Sequence, residues 1–115
     1  MLPEWYELEV KGFGFRGRLL GTLCVDGMTI AADRGREPFG KIARAWVGGE
    51  PLSEDAEYVV GSLDMFTFGV GYTGLKEGRD VRYLLPEFIR DVLAEALADE
   101  TLVAECTKAR WIFME

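Results

Sequence analysis

The pattern of apolar and polar positions predicts several short strands along the chain. Apolar and polar residues alternate from Trp5 to Lys11, as in a strand with one buried face. Apolar runs at 18–25 and 28–32 flank Asp26-Gly27, and an Asp-Gly pair in this setting favours the tight turn of a hairpin. Three further strands are predicted at the apolar runs 42–47, 57–63 and 107–114.

One segment has helical periodicity instead. Pro86 fits the first position of a helix, where a missing N–H costs nothing, and apolar residues recur at i, i+3 and i+4 from Phe88 to Leu97. This predicts one main amphipathic helix over residues 86–99. Strands grouped around one helix predict an α+β fold with mostly antiparallel sheet, in one or more sheets of about five to seven strands. Residues 1–115 are expected to form a single domain.

The net charge and the cysteine content indicate which partners and which cellular compartment to expect. The chain has 13 basic and 20 acidic residues, a net charge of −7, so we expect it to bind neither nucleic acid nor anionic membranes. No apolar run is long enough to span a membrane, and the N-terminus does not resemble a signal peptide. Cys24 and Cys106 are expected to be buried free thiols, which favours a cytoplasmic location.

Histidine is absent, which excludes the commonest class of catalytic and metal sites. Without imidazole there is no Ser-His-Asp or Cys-His arrangement and no histidine-containing zinc site. Carboxylates are plentiful, but none falls in a recognisable ligand-loop spacing. We therefore expect no catalytic residue, no metal ligand and no resident cofactor in this chain, and no enzymatic activity from the chain alone.

A glycine-rich stretch near the N-terminus allows two interpretations. Gly12 to Gly17 superficially resembles a phosphate loop, and Arg16 and Arg18 would suit a phosphate. A dinucleotide loop opens a helix, however, whereas here a strand is predicted to follow. The alternative is a strand with a bulge that bends at glycine.

A second candidate site combines glycines with aromatic residues over residues 64–74. Flexible glycines beside flat rings would let a nucleobase stack there. If the segment is a strand, Phe66 and Phe68 would instead share one face and fill the core. The candidate substrate-binding residues are Phe66, Phe68, Gly69, Gly71 and Tyr72, with Arg16 and Arg18 as weaker phosphate contacts.

The order of motifs resembles the C-terminal domain of the bacterial 5′-nucleotidase and UDP-sugar hydrolase family, a group of two-domain metallophosphoesterases. The resemblance covers roughly residues 12–97. It rests on Gly49-Glu50-Pro51-Leu52, Asp55, Tyr58-Val59-Val60, Leu63-Asp64, Gly69, Gly71-Tyr72 and the helix after Pro86.

This resemblance implies that catalysis and nucleotide binding lie in two different domains. In that family the N-terminal domain holds a two-metal catalytic centre, and the C-terminal domain binds the nucleotide with two aromatic rings. The chain is accordingly expected to recognise a nucleotide or sugar nucleotide, beside a metallophosphoesterase catalytic domain in the same or a neighbouring chain. Divalent metals are expected only in that other domain. The alternative is a ligand-free interaction or oligomerisation module, including a homo-oligomer.

Overall fold

A computed structural model of the chain describes residues 2–6, 9–12, 15–19 and 21–114. In this part of the chain, short helices surround two small sheets. The elements are α1 Leu2–Trp5, β1 Glu9–Gly12, β2 Phe15–Leu19, β3 Met28–Asp33, β4 Ile42–Val47, β5 Glu50–Pro51, α2 Asp64–Thr67, a 3₁₀ helix Thr73–Glu77, α3 Ile89–Leu97, α4 Glu100–Glu105 and β6 Trp111–Met114. The fold is mixed α+β, as predicted. Each described helix is shorter or more polar than a helix that crosses a bilayer.

The larger sheet has the strand order β5-β4-β3-β6, and β1 pairs with β2 in a separate antiparallel ribbon. Strand β3 lies between β4, which is antiparallel, and β6, which is parallel; Ile30 pairs with Ala45 on one side and Trp111 on the other. The prediction of five to seven mostly antiparallel strands is therefore not matched. This sheet has four strands and is mixed, because the long excursion after β5 lets the chain return in the same direction as β3.

Two of the predicted strands pair differently or not at all. The expected hairpin between 18–25 and 28–32 is wrong, because β4 takes the place beside β3. Residues 21–25 instead pass along α1 and β6, where the Leu23 N–H donates to the Trp5 carbonyl at 2.8 Å. The run 57–63 forms no ladder in the described structure and is largely exposed. The structure describes β1 from Glu9, and Trp5 belongs to α1 instead of a strand; Glu7 and Leu8 lie outside the described residues.

The core lies on one face of the four-stranded sheet. Ile30 and Ala32 are fully buried there, and Ile30 packs in a cluster with Trp5, Tyr72 and Leu75. This cluster joins α1, β3 and the 3₁₀ helix. Cys24 and Cys106 lie outside it and are exposed free thiols, so the prediction that they are buried is wrong. Leu23 and Val25 pack against the core cluster while Cys24 between them is exposed, and Cys106 caps helix α4, which has no buried residue.

The predicted helix 86–99 is shorter and ends sooner than expected. It begins at Ile89, because the chain still turns at Pro86, where the Glu87 N–H bonds the Leu84 carbonyl at 2.9 Å. It ends at Leu97, and Asp99 caps a separate helix, α4, by accepting from the N–H groups of Thr101 and Leu102. The placement of Pro86 in the first helical turn was therefore wrong.

Arg110 fastens the C-terminal helices to the start of β3. Its Nη2 and Nε donate to Asp26 Oδ1 at 2.9 and 3.2 Å, and its Nη1 donates to the carbonyls of Glu105 and Lys108 at 2.5 and 2.6 Å. The hydrogen bond from Arg110 lowers the pKa of Asp26 below its ordinary 3.8, helped by the Gly27 N–H and the guanidinium charge.

This contact makes a small part of the stability dependent on pH. The pKa of Asp26 is lower in the folded chain than in the unfolded chain, where it is 3.8. The contact between Asp26 and Arg110 therefore stabilises the fold fully above pH 3.8, and this stabilisation is lost as the pH falls through the lower pKa of the folded chain. Asp26→Asn removes the charge. We expect the urea midpoint of the native chain to fall more than that of the variant between about pH 5 and pH 2. Parallel acid dependences would contradict this role. The effect should be small, since Asp26 is exposed.

Candidate functional site

The aromatic segment 64–74 folds as a short helix with a glycine cap, not as a strand. Helix α2 ends at Thr67 with Phe68 as its C-cap, the Gly69 N–H bonds the Phe66 carbonyl, and the Val70 N–H bonds the Met65 carbonyl, both at 3.1 Å. This pair of bonds is a Schellman motif, whose glycine must adopt a left-handed conformation. Gly69 has φ +85° and Gly71 has φ +77°. Both glycines therefore have a structural role in turning the chain.

The helical geometry separates the two phenylalanines. Residues two apart on a helix point in nearly opposite directions, whereas in a strand they would share a face. Phe66 packs against the core, and its ring meets Tyr72 edge to face with centroids 5.7 Å apart. Phe68 is 67% exposed. The expectation that both rings fill the core on one strand face is therefore wrong.

Tyr72 connects this segment to the core through its buried ring and a hydrogen bond. Its ring is buried, and its hydroxyl donates to the Gly21 carbonyl at 2.7 Å. Burial raises the pKa of the Tyr72 hydroxyl, and the Cys24 thiol acts in the same direction. The hydroxyl therefore stays protonated as a hydrogen-bond donor at neutral pH. Tyr72 and Phe66 do not join Phe68 on an exposed surface, although the resemblance pointed to them as base contacts.

Phe68 instead has an exposed partner that the sequence did not reveal. The rings of Phe68 and Tyr83 have centroids 6.2 Å apart at an interplanar angle of 38°, and Tyr83 is 50% exposed. Thr67 Oγ1 lies 3.3 Å from the Tyr83 hydroxyl, which holds the second ring beside the end of α2. Tyr83 follows Phe68 by fifteen positions in an irregular segment. No local pattern signals that the two rings meet.

The glycine-rich stretch 12–17 is part of a strand pair. Strand β1 pairs antiparallel with β2, with a register shift between Val10 and Gly12. The stretch runs directly into strand β2 and not into a helix, so the bulged-strand interpretation fits and the phosphate-loop geometry does not. Arg16 and Arg18 lie two apart on β2, and their side chains are outside the described part of the chain. Their contact with a phosphate stays a prediction.

Other potential sites in the described residues are shallow. Two shallow surface depressions both include Trp46 in their lining, and neither includes a predicted site residue. Within the described ranges, no group of three or more histidine, cysteine, aspartate or glutamate side chains is placed to hold a metal ion. The arrangement can therefore offer aromatic surface to a planar ligand.

A comparison with known proteins gives a relative that covers most of the chain. Over 92 residues, or 80% of its length, the chain is 34% identical to the uncharacterized metallophosphoesterase YunD of Bacillus subtilis strain 168. The chain spans about a fifth of that protein, since the match covers 20% of it. No family model matches the chain, and no solved structure matches it significantly. The similarity to YunD supports a relationship with the metallophosphoesterase superfamily and a phosphohydrolase-related fold.

Proposed function

We propose that the chain is a nucleotide or sugar-nucleotide recognition domain of a 5′-nucleotidase-like phosphohydrolase, and that Phe68 and Tyr83 form its base-contacting surface. The observation that carries this proposal is the pair of exposed rings on and beside the segment 64–74. That segment holds part of the resemblance to 5′-nucleotidase C-terminal domains, and the similar protein YunD is named as a metallophosphoesterase.

The physical basis of recognition is stacking. Every nucleobase has a flat π face, and stacking on an aromatic side chain contributes about 1–3 kcal/mol per base. The rings of Phe68 and Tyr83 are tilted by 38°. They form an open wedge in which a base can stack on one ring and meet the edge of the other. Gly69 contributes by ending the helix directly after its C-cap Phe68, whose ring stays at the surface.

Bond cleavage is assigned to another domain. The sequence contains no histidine, so it lacks the ligand and proton shuttle that a two-metal phosphohydrolase centre combines. In this proposal a metallophosphoesterase catalytic domain, in the same or a neighbouring chain, holds the divalent metals. The present chain binds and orients the nucleoside part of the substrate.

The test is titration of the purified chain with nucleoside monophosphates, with binding measured by isothermal titration calorimetry. We expect Phe68→Ala to weaken binding by about fivefold to a hundredfold, which is the loss of one stacking contact. Phe39→Ala is a matched control, because Phe39 is 66% exposed against 67% for Phe68 and lies in a different loop. The control should bind as the native chain does.

Three outcomes would contradict this function. The first is that the native chain binds no nucleotide, the second that Phe68→Ala binds as tightly as Phe39→Ala. The third is release of phosphate by the chain alone with Mg²⁺ or Mn²⁺, which would place catalysis in this chain. Circular dichroism of both variants checks that the substitutions leave the fold intact.

The alternative of a ligand-free interaction or oligomerisation module rests on a different observation. Helix α3 leaves its apolar side chains exposed, with no residue of the helix buried. Such a surface marks a contact with another protein surface. The two functions are compatible, because Phe68 and Tyr83 are not part of α3.

A further inference from the structure

The side chain of Lys76 crosses the glycine turn that follows α2, next to Phe68. A Cβ atom built on Gly69 would lie 3.1 Å from Lys76 Cδ and 3.9 Å from Lys76 Cβ, and the first of these distances is closer than ordinary van der Waals contact. The stem of Lys76 therefore occupies space that only a glycine leaves open. Since Gly69 directly follows Phe68, the stem runs past the residue next to the exposed ring.

This packing restricts where the ammonium group of Lys76 can lie. The residue belongs to the 3₁₀ helix Thr73–Glu77, and its neighbour Leu75 is part of the core cluster, so the backbone at Lys76 is held in place. Lysine side chains lay their methylene stem along a surface and keep the ammonium in water. A stem that is already packed has lost part of its conformational entropy, which reduces the cost of binding a ligand.

The ammonium group of Lys76 is also accessible to an anion. Lys76 is exposed and forms no ion pair with any described residue, its neighbour Glu77 included. Arg79, three positions on, is by contrast paired with Glu57. A cation beside the exposed rings of Phe68 and Tyr83 suits a ligand that combines a flat ring system with a negative charge.

We infer that Lys76 binds the 5′-phosphate of a nucleotide whose base stacks on Phe68, so that the site takes nucleotides in preference to nucleosides. This inference rests on the proposed nucleotide function and names the group that recognises the phosphate. One ribose separates the base of a nucleotide from its 5′-phosphate, and the lysine stem that crosses Gly69 bridges this separation. The contact is a charge-assisted hydrogen bond from Lys76 Nζ to a phosphate oxygen.

The test compares adenosine and uridine with their 5′-monophosphates by isothermal titration calorimetry. We expect the native chain to bind each monophosphate about threefold to tenfold more tightly than its nucleoside, which is the contribution of one exposed charge-assisted contact. Lys76→Met keeps an apolar stem over Gly69 and removes the charge. This variant should lose the preference for the monophosphate and keep the native affinity for the nucleoside. Lys76→Arg should retain most of the preference.

Lys108→Met is the matched control for the loss of one positive charge. The side chain of Lys108 is 67% exposed and is paired with Glu105 at the end of α4, outside the segment that carries the two rings. This variant should keep the native preference. Phe68→Ala should weaken nucleoside and monophosphate by the same factor, because it removes a contact to the base alone.

Three results would overturn the role of Lys76. The first is equal affinity of the native chain for a nucleoside and its monophosphate. The second is a native preference in Lys76→Met, which would leave the phosphate to another group such as Arg16 or Arg18. The third is an equal loss in Lys108→Met, which would show an effect of net charge. In all three cases nucleoside binding that depends on Phe68 leaves the proposed function standing. If neither nucleosides nor monophosphates bind, both proposals fail.

Discussion

Ile30→Ala should lower the free energy of unfolding by about 2–5 kcal/mol, the range for removing a large aliphatic side chain from a core. Ile30 is 0% exposed on the central strand β3 and belongs to the cluster with Trp5, Tyr72 and Leu75. The cluster is small, so few neighbours can shift to fill the space. The loss is measured by urea denaturation, followed by tryptophan fluorescence.

Val59→Ala is the control for this change. Its side chain is fully exposed, so its removal should alter the unfolding free energy by less than about 0.5 kcal/mol. Native chain and variants must be compared at one protein concentration, because self-association would add to the apparent stability. A loss below about 1 kcal/mol for Ile30→Ala would show that this cluster is not the stabilising core.

Trp111→Ala is expected to have the second largest effect, a loss of about 2–3 kcal/mol, which is less than for a fully buried tryptophan because Trp111 is only partly buried. The indole stacks on Phe113 with centroids 6.3 Å apart, meets the edge of Tyr6 at 6.2 Å, and donates from Nε1 to the Leu23 carbonyl at 2.9 Å. These contacts tie β6, an edge strand, to Tyr6 and to the segment that contains Leu23. The variant should therefore also lose protection from hydrogen exchange in β6 before β4.

Trp111→Phe separates the contribution of ring packing from that of the hydrogen bond between Trp111 Nε1 and the Leu23 carbonyl. It keeps an aromatic ring and removes only the Nε1 donor, so we expect a loss of about 1–2 kcal/mol. If Trp111→Phe were as damaging as Trp111→Ala, the bond to Leu23 would dominate over ring packing. If both variants unfolded as the native chain does, Trp111 would not anchor β6.

The aromatic segment shows how far local patterns reach. Phe66 and Phe68 were predicted to share a strand face or to line one site together with Tyr72. The choice between strand and helix reversed their relation, since the same spacing of two places side chains together in a strand and apart in a helix. Composition had marked the segment as unusual, but only its capping at Gly69 decided which ring faces solvent.

In the sheet, too, the local pattern was predicted correctly and the long-range contacts were not. The apolar runs at β3, β4 and β6 were correctly located, because a buried strand needs apolar side chains wherever it pairs. The strands with which they pair were not predicted correctly. The Asp26-Gly27 turn favoured pairing with 18–25, but β4 offers β3 a six-residue partner, and Trp111 ties 21–25 to β6 instead. Long-range pairing therefore overrode a strong local turn signal.

The amino-acid sequence by itself determined the α+β class, the positions of the main strands and helix, the acidic charge, and the lack of imidazole chemistry. These are properties of composition and short-range periodicity, which require no knowledge of distant neighbours. Only the tertiary structure decided the parallel addition of β6, the meeting of Phe68 with Tyr83, and the exposure of the apolar side chains of α3. Each depends on residues far apart in the chain, whose contacts are selected by competition for burial rather than by any local pattern.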